Sequence, residues 1–408
     1  MKEIKGGICA AEGFKAAAVH AGIKPTSNPE RMDLGMIYSS VQCNAAGMFT
    51  TNRVKASPVL IDIENLKDGK AQAIVANSYI ANACAPEGIE TSTKELNLVA
   101  DALSINPSDV VVSSTGVIGV RLNVEAIEAA LPELVSKLAT GAEASDGMAH
   151  AIMTTDTVKK EISFEFEIGG KTCHIGGISK GSGMIHPHMG TMLCYITTDA
   201  AVSSECLNKA LHTAVGKTFN RISVDGDMST NDSCVILANG LAGNDEIVSE
   251  GADYEAFLAA LMAVCTYLCR LMAKDGEGAT HLMTCTVKGA KDEESAEIMA
   301  KSVINSSLTK AAIFGADANW GRVLCAMGYS GVEFDPEKAD ISFASSAGTI
   351  LVCKDGKGVN FDEDQAKKIL TEEEVIIDIT IAEGDAEATC WGCDLTYDYV
   401  KINGDYRT

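Results

Sequence analysis

The chain has 408 residues, of which 46% are hydrophobic, and its 33 Lys and Arg against 56 Asp and Glu give a formal net charge of −23. This composition is typical of a folded protein with a large core and argues against intrinsic disorder. An acidic surface repels a phosphate backbone, and no run of five or more Lys or Arg occurs. Nucleic acid is therefore not expected as a partner.

Neither an export signal nor a membrane span is predicted. Charged side chains interrupt residues 1–18, so no apolar stretch typical of a signal peptide is present there. The longest mostly apolar run, residues 256–269, is bounded by Glu255 and Arg270 and is too short to cross a bilayer. It predicts a buried helix, and the protein is expected to be cytoplasmic with no membrane partner.

The 14 cysteines are scattered singly through apolar stretches, which is typical of buried, reduced thiols. One C-x-x-C occurs, at Cys390 and Cys393, and leaves a redox or zinc role as a minor alternative. No second C-x-x-C and no H-E-x-x-H accompanies it, so no metal site is predicted. The two imidazoles of His186 and His188 are expected in a solvated loop.

Strand and helix patterns alternate along the chain, so the predicted fold class is mixed α/β. Five glycines and a proline within residues 176–191 predict an irregular segment there, followed by a short strand over 192–196. The other predicted elements are, in chain order, a helix over 124–139 capped by Asn123, a hairpin of 162–168 and 171–175, helices over 256–273, 292–306 and 362–370, and a hairpin of 375–382 and 386–395.

Two segments rich in glycine or acidic residues lack the full pattern of a known ligand-binding motif. No G-x-G-x-x-G or Walker motif occurs in the 176–190 loop, which disfavours a nucleotide fold. Residues 225–232 look calcium-like, but Thr230 and Ile236 stand where an EF-hand loop has Gly and Glu. We interpret this segment as a turn capped by Asx and hydroxyl side chains.

The Gly190-Thr191 junction carries a further chemical option. A threonine that becomes the first residue of a chain can use its own α-amine, with a reference pKa of about 7.7–8.0, as the base for its hydroxyl. That requires cleavage of the Gly190–Thr191 bond by an N→O acyl shift and hydrolysis. Taken alone, the segment favours the simpler interpretation, an ordinary threonine that starts a buried strand.

A resemblance favours the first interpretation. The segment from Thr191 to Ala200, preceded by residues 180–185, resembles the self-cleavage segment of the ornithine acetyltransferase family, the bifunctional glutamate N-acetyltransferases of arginine biosynthesis. Further blocks that resemble this family lie at residues 13–17, 21–24, 45–52, 114–119, 152–157, 224–227, 275–280, 319–322 and 399–408.

The resemblance implies a role for each matching position. Thr191 would be the cleavage nucleophile and would later carry the acetyl group, while the Thr115 hydroxyl and the Gly116 N–H would form the oxyanion site. The implied substrate-binding residues are Thr154, Lys180, Thr191, Glu277, Asn403 and Thr408. In this set the lysine, hydroxyls and amide would hold an α-carboxylate, and the glutamate would receive an ammonium group.

The implied activity is a ping-pong transfer of the acetyl group of N2-acetylornithine to glutamate, with acetyl-CoA as an additional donor in bifunctional relatives. The implied fold is a layered α/β sandwich of sheets flanked by helices, in which chains 1–190 and 191–408 stay together as an α2β2 heterotetramer. No metal or prosthetic group is implied. Tyr79 and Ile80 stand where the family usually has a Gly-Asn pair. If this protein differs from the family in function, we expect the difference to lie in the range of acetyl acceptors.

Two rival interpretations remain at this point. One is a self-processing aminopeptidase or amidase with an N-terminal nucleophile, in which water replaces glutamate as the acceptor. The other is an uncleaved, non-catalytic binding protein.

Overall fold

The computed structural model describes residues 1–186 and 192–405, which form two sheets flanked by helices. The mixed α/β class predicted from the sequence is confirmed. The strands are β1 (Lys2–Glu3), β2 (Phe14–Val19), β3 (Leu34–Phe49), β4 (Lys70–Asn77), β5 (Val110–Ser114), β6 (Lys160–Ile168), β7 (Lys171–Lys180), β8 (Leu193–Thr198), β9 (Ile222–Ser223), β10 (Ser233–Ala238), β11 (Leu282–Ala290), β12 (Ala339–Ser345), β13 (Gly348–Lys354), β14 (Lys357–Gly358), β15 (Glu374–Ile381) and β16 (Ala386–Cys393).

The helices follow the same alternation along the chain. They are α1 (Ser57–Asn65), α2 (Gly88–Leu103), α3 (Val124–Ser136), α4 (Ala142–Ala151), α5 (Ser204–Lys217), α6 (Ala252–Lys274), α7 (Glu293–Asn305), α8 (Ser307–Phe314), α9 (Trp320–Gly328), α10 (Glu363–Leu370) and α11 (Tyr397–Asp405).

The first sheet has the described strand order β1-β6-β7-β8-β10-β3-β4-β5, with β2 paired to β3. Strands β8 and β10 run parallel, so that Leu193 lies opposite Ser233. Strand β7 runs antiparallel to β8 on its other side, where Lys180 lies opposite Leu193. The end of β7 and the starts of β8 and β10 therefore lie side by side.

The second described sheet has the order β14-β13-β12-β15-β11-β16-β9. The predicted strands over 375–382 and 386–395 are present as β15 and β16, but the predicted hairpin between them is wrong. Strand β11 lies between the two, parallel to β15 and antiparallel to β16. A short turn between two strands favours their direct pairing as a hairpin, but it does not exclude a third strand. Here β11, from earlier in the chain, lies between β15 and β16 and pairs with both.

A second correction concerns the glycines after residue 175. Residues 176–180 were predicted to be irregular, yet they continue β7 as far as Lys180. A Cβ added at Gly176 would lie 1.8 Å from the carbonyl oxygen of Gly7, and one at Gly177 would lie 2.7 Å from Val264. The glycines let the backbone of β7 approach its neighbours closely, which is the other established use of glycine inside a strand.

Helix α6 is the longest described helix, with 23 residues, and it exceeds the predicted 256–273 at both ends. It packs against β6 and β7, and Phe257, Leu261 and Val264 have no exposed surface. Among the described residues it is the one helix whose length and mean hydropathy, 1.9 over 18 residues, would suffice to span a membrane, and half of that stretch is buried within the protein.

Helix caps account for the accuracy of several predicted boundaries. The side chain of Asn123 accepts a hydrogen bond from the N–H of Ala126 at the start of α3. Asp292 and Asp362 cap α7 and α10 in the same way. These short polar side chains satisfy N–H groups that have no partner inside the helix, so they mark where each helix begins.

Candidate active site

A cavity of about 390 Å³ brings together residues that are far apart in the sequence. Of the predicted site residues within the described part of the chain, every one lines it, namely Thr115, Gly116, Thr154, Lys180, Glu277 and Asn403. Met192, which directly precedes β8, and Leu193, its first residue, line it as well. The predicted positions Gly190, Thr191 and Thr408 lie outside the described residues.

The turn formed by Thr115 and Gly116 follows the end of β5 and is held from two sides. The N–H of Thr115 donates to the Asn77 carbonyl oxygen at 3.0 Å, and the N–H of Val117 donates to the Tyr79 carbonyl oxygen at 2.9 Å. Gly116 has a φ of +131°, and a Cβ there would lie 2.1 Å from the carbonyl carbon of Tyr79. The turn therefore requires glycine both for its backbone conformation and for this close approach.

Lys180 is the cation of the cavity. It ends β7 with 8% of its surface exposed, and its Nζ lies 3.4 Å from the Thr115 Oγ1. Burial lowers the pKa of this ammonium group from its ordinary value, although the nearby carboxylate of Asp156 opposes that effect. Folding has already removed most of the water around this cation. Pairing with a substrate anion therefore costs little further desolvation of the lysine.

A buried ionic network supports this side of the cavity. Lys160 has no exposed surface, and its Nζ donates to Asp156 at 2.7 Å and to Asp275 at 2.6 Å. The Asp156 carboxylate also accepts from the N–H of Gly181 at 2.7 Å and from the N–H of Thr154 at 3.0 Å. One carboxylate thus fixes the backbone next to Lys180 and the backbone of a second cavity residue.

Glu277 and Asn403 meet although they come from a loop and from helix α11. The Asn403 Nδ2 donates to the Glu277 Oε2 at 2.7 Å, and the N–H of Glu277 donates to the Ser182 carbonyl oxygen at 2.8 Å. A Cβ added at Gly183 would lie 2.4 Å from the Glu277 carboxyl carbon, so glycine makes room for this side chain. The result is an oriented carboxylate that can receive an ammonium group.

The cavity also contains residues that the sequence analysis interpreted only as a turn, Ser229, Thr230, Asn231 and Asp232. The Asn231 Nδ2 donates to the carbonyl oxygens of Ala81 and Ser114, at 2.6 and 2.8 Å, and so ties this segment to the Thr115 turn. One signal could have found them: a run of polar side chains that directly precedes the fully buried strand β10.

The other sequence candidates for metal or redox chemistry do not join the cavity. Cys390 and Cys393 are buried in β16, and burial raises the pKa of the Cys390 thiol to about 12, which leaves it an unreactive thiol at neutral pH. Within residues 1–186 and 192–405, no group of three or more His, Cys, Asp or Glu side chains could hold a metal ion.

The chain belongs to the ArgJ family, whose family model matches residues 15–408. The chain is 49% identical over 409 residues to the arginine biosynthesis bifunctional protein ArgJ of Caldanaerobacter subterraneus subsp. tengcongensis, with all of both chains covered. It is 50% identical over 396 residues to ArgJ 1 of Clostridium acetobutylicum, covering 97% of this chain and 96% of the other. A crystal structure of ArgJ from Bacillus halodurans is 44% identical, with a TM-score of 0.49 over 52% of this chain and 97% of that one.

The expected family and enzyme class are thereby confirmed. The chain is an acetyltransferase of the ArgJ family and belongs to arginine biosynthesis.

Proposed function

We propose that this chain cleaves itself between Gly190 and Thr191 and then moves the acetyl group of N2-acetylornithine to glutamate through an acetyl-Thr191 intermediate. The observation that supports this proposal is the meeting of Thr115, Lys180 and Glu277 in one cavity that reaches Met192, the residue after the proposed nucleophile. An oxyanion donor, a cation and an oriented carboxylate are the groups that an amino-acid acetyl donor requires.

In the proposed self-cleavage, the Thr191 hydroxyl attacks the carbonyl carbon of Gly190, the peptide becomes an ester, and water hydrolyses the ester. The products are chains 1–190 and 191–408, which we expect to remain one folded unit and to assemble as an α2β2 heterotetramer. The liberated α-amine of Thr191 can then accept the proton of its own hydroxyl. The two proposed chains share the first sheet, because β7 of one chain pairs with β8 of the other.

In the first half-reaction, the Thr191 hydroxyl attacks the acetyl carbon of N2-acetylornithine. The Thr115 hydroxyl and the Gly116 N–H stabilise the oxyanion that forms, an effect for which a single donor is typically worth about 10²–10³ in rate. Lys180 and Thr154 hold the α-carboxylate, and Glu277 with Asn403 holds the side-chain ammonium of ornithine. Ornithine leaves, and glutamate takes its place and attacks the acetyl ester.

Thr408 matches a substrate-binding position of the family and keeps that role in the proposal. The proposed reaction needs no metal or prosthetic group, and acetyl-CoA is a second acetyl donor that an assay can test directly. We expect the enzyme to work in the cytoplasm without nucleic-acid or membrane partners. The chain's net charge of −23 repels anionic substrates at long range, so local cations such as Lys180 must supply the attraction.

An assay with N2-acetylornithine and glutamate tests the proposed transfer. We expect free ornithine and N-acetylglutamate in equal amounts, and replacement of acetylornithine by acetyl-CoA tests the second donor. Release of free acetate with no N-acetylglutamate would instead support the alternative, an aminopeptidase or amidase with an N-terminal nucleophile. No ornithine release at all would contradict both functions.

Intact-mass analysis tests the proposed cleavage. The wild type should give fragments of 190 and 408 − 190 = 218 residues, with Thr-Met-Leu-Cys at the new N-terminus. Thr191→Ala should remain one inactive chain, whereas Thr213→Ala, which removes the hydroxyl of a half-buried residue in α5, should cleave and turn over normally. Cleavage of Thr191→Ala at the same bond would contradict the assignment of the nucleophile.

A further inference from the structure

Asp232 is an ionisable cavity residue without a role in the proposed function. Among the described residues that line the cavity, the other ionisable groups are Lys180 and Glu277. Those two are proposed to hold the carboxylate and the side-chain ammonium of the substrate. Asp232 therefore remains to be explained.

The carboxylate of Asp232 is buried and is unpartnered within the described part of the chain. Only 2% of the residue is exposed, and neither carboxylate oxygen makes a hydrogen bond to the described part of the protein. Burial raises its pKa well above the ordinary value, although the N–H of Met192 and the hydroxyls of Thr50 and Ser229 lie near enough to oppose this. The Thr50 hydroxyl donates instead to the Ser229 carbonyl oxygen at 2.8 Å. A buried polar group without a partner inside a cavity is suited to a partner that the ligand brings.

The backbone places Asp232 beside the start of β8. The next residue, Ser233, donates its N–H to the Met192 carbonyl oxygen at 2.8 Å and lies opposite Leu193 in the parallel pair. Lys180 lies opposite Leu193 on the other side of the same strand. In sequence, the proposed nucleophile immediately precedes Met192, so Asp232 and Lys180 flank the strand that follows the reacting residue.

We propose that Asp232 is a catalytic residue that exchanges a proton with the amine nitrogen whose acetyl group is transferred. This inference rests on the proposed function and extends it to the acid–base chemistry of the substrate amine. The carboxylic acid is the form that donates the proton, and the buried position favours that form in the free enzyme.

The proton balance closes over one catalytic cycle. In the first half-reaction, the bond between the acetyl carbon and the nitrogen breaks as the bond to the Thr191 oxygen forms. The nitrogen receives the hydroxyl proton and the Asp232 proton, so ornithine leaves as an ammonium ion and Asp232 becomes a carboxylate. In the second, that carboxylate takes one proton from the incoming glutamate ammonium, the amine attacks the acetyl carbon, and the Thr191 oxygen leaves and takes the second proton.

The charges around Asp232 are compatible with this cycle. Lys180 is the charged group among the main influences on the pKa of Asp232, and Thr50, Ser229 and Met192 contribute hydroxyl or N–H groups. The cation of Lys180 favours the carboxylate that forms in the acetyl-enzyme, and burial favours the acid. A small change of charge at the substrate amine can therefore move the proton from Asp232 to the nitrogen or back again.

Asp232→Asn tests the inference, because the amide keeps the size of the side chain but cannot exchange the proton. In single-turnover experiments on the cleaved protein, we expect ornithine release and N-acetylglutamate formation to slow by about 10²-fold or more. The rate of ornithine release by the wild type should fall at alkaline pH as Asp232 deprotonates, and this fall should be absent in the variant. Glu95→Gln is the matched control, since Glu95 is a buried carboxyl group with two unpartnered oxygens that does not line the cavity.

Asp232→Asn with wild-type rates and an unchanged pH profile would overturn the inference while leaving the proposed function intact. An equal loss of rate in Glu95→Gln would also overturn it, since any buried carboxyl group would then have the same effect. A wild type that releases no ornithine contradicts the proposed function itself, and the inference with it.

If Asp232→Asn does not cleave itself, the infrared difference spectrum of the wild type tests whether a carboxyl group changes protonation during the cycle. We expect the band of a protonated carboxyl group to disappear on acetylation by acetylornithine and to return when glutamate is added. Carboxyl bands that stay unchanged through this cycle would overturn the inference.

Discussion

The Nζ of Lys180 lies 3.4 Å from the Oγ1 of Thr115, at a point where the ends of β7 and β5 meet although 65 residues separate them in sequence. The contact joins the cation of the cavity to the hydroxyl of the proposed oxyanion site. Since the ammonium group donates to the Thr115 oxygen, the hydroxyl proton is left to point towards a ligand. In the proposed mechanism, this hydrogen bond would couple substrate binding by Lys180 to oxyanion stabilisation by Thr115.

Lys180→Met should weaken acetylornithine binding, because it removes the charge and keeps the aliphatic length. A hydrogen bond to a charged group contributes about 1.5–3 kcal/mol, so kcat/KM should fall by about 10–150-fold, mainly through KM. Since burial lowers the pKa of Lys180, the KM of the wild type should rise with pH before an ordinary lysine would titrate, and the variant should lack this rise. Steady-state kinetics over a pH series measure both effects, and Lys171→Met, on the exposed start of β7, is the control. An unchanged KM would contradict the binding role.

Thr115→Val should lower kcat with little change in KM, because valine keeps the shape and loses the hydroxyl that would stabilise the oxyanion. The expected loss is about 10²–10³-fold, as for other single oxyanion donors. Thr115→Ser retains the hydroxyl and should keep most of the activity. The measurement is acetyl transfer by cleaved protein, and a valine variant with the wild-type kcat would exclude Thr115 from the oxyanion site.

Gly116→Ala should displace the same turn, since the added Cβ would lie 2.1 Å from the Tyr79 carbonyl carbon at a φ of +131°. We expect a loss of activity and a decrease of about 1–3 kcal/mol in the free energy of unfolding, measured by denaturant titration. Gly119→Ala is a matched control: its φ is +84°, but no atom lies within 4 Å of the added Cβ. Equal losses in both variants would attribute the effect to backbone conformation rather than to the contact with Tyr79.

The contact with Tyr79 also bears on the predicted divergence in acceptor range. Tyr79 has a φ of 74°, its ring stacks against Arg31 at 5.1 Å, and Arg31 donates to the Thr154 carbonyl oxygen at 3.2 Å. Tyr79 thus lies against Gly116 in the Thr115 turn. It is also linked to Thr154, because Arg31 lies between the two residues. The sequence identified the departure, and the structure adds a route by which it can affect the cavity, while the divergence itself stays a prediction.

Local patterns predicted local structure well and long-range pairing poorly. Capping residues such as Asn123 and Asp292 marked helix starts, because a cap acts within one helical turn. The position of β11 between β15 and β16 depends on pairs of residues about 90–110 apart in sequence, and no turn signal encodes it. Gly176 looked like a loop residue because its partner, the carbonyl oxygen of Gly7, is distant in sequence.

The same difference between local patterns and long-range contacts applies to the candidate site. Thr115, Lys180 and Glu277 were found through resemblance to a family, since no spacing in the sequence indicates that they share a cavity. Asp232 was assigned to a turn, because a polar run before a strand is typical of both a turn and a cavity wall. The distinction depends on burial, which only the folded chain provides.

Glu95→Gln should change how stability depends on pH. Glu95 lies in α2 without exposed surface, and burial raises its pKa to about 8 from an ordinary value of 4.5. Between these values the unfolded chain holds an ionised carboxylate while the folded chain keeps the acid. The stabilising contribution is therefore complete below pH 4.5 and is lost as the pH rises towards 8, by about 1.4 kcal/mol per pH unit.

Glutamine is neutral at every pH, so Glu95→Gln should lose this slope. Burial raises the pKa of Asp62 in both proteins, and the charge of Glu95 raises it further only in the wild type. Denaturant titrations from pH 5 to pH 8 should show the free energy of unfolding of the wild type falling by about 4 kcal/mol relative to the variant. Glu90→Gln, on the exposed face of the same helix, should follow the wild type. Parallel curves for the wild type and Glu95→Gln would mean that water or a neighbouring donor stabilises the Glu95 carboxylate in the folded protein.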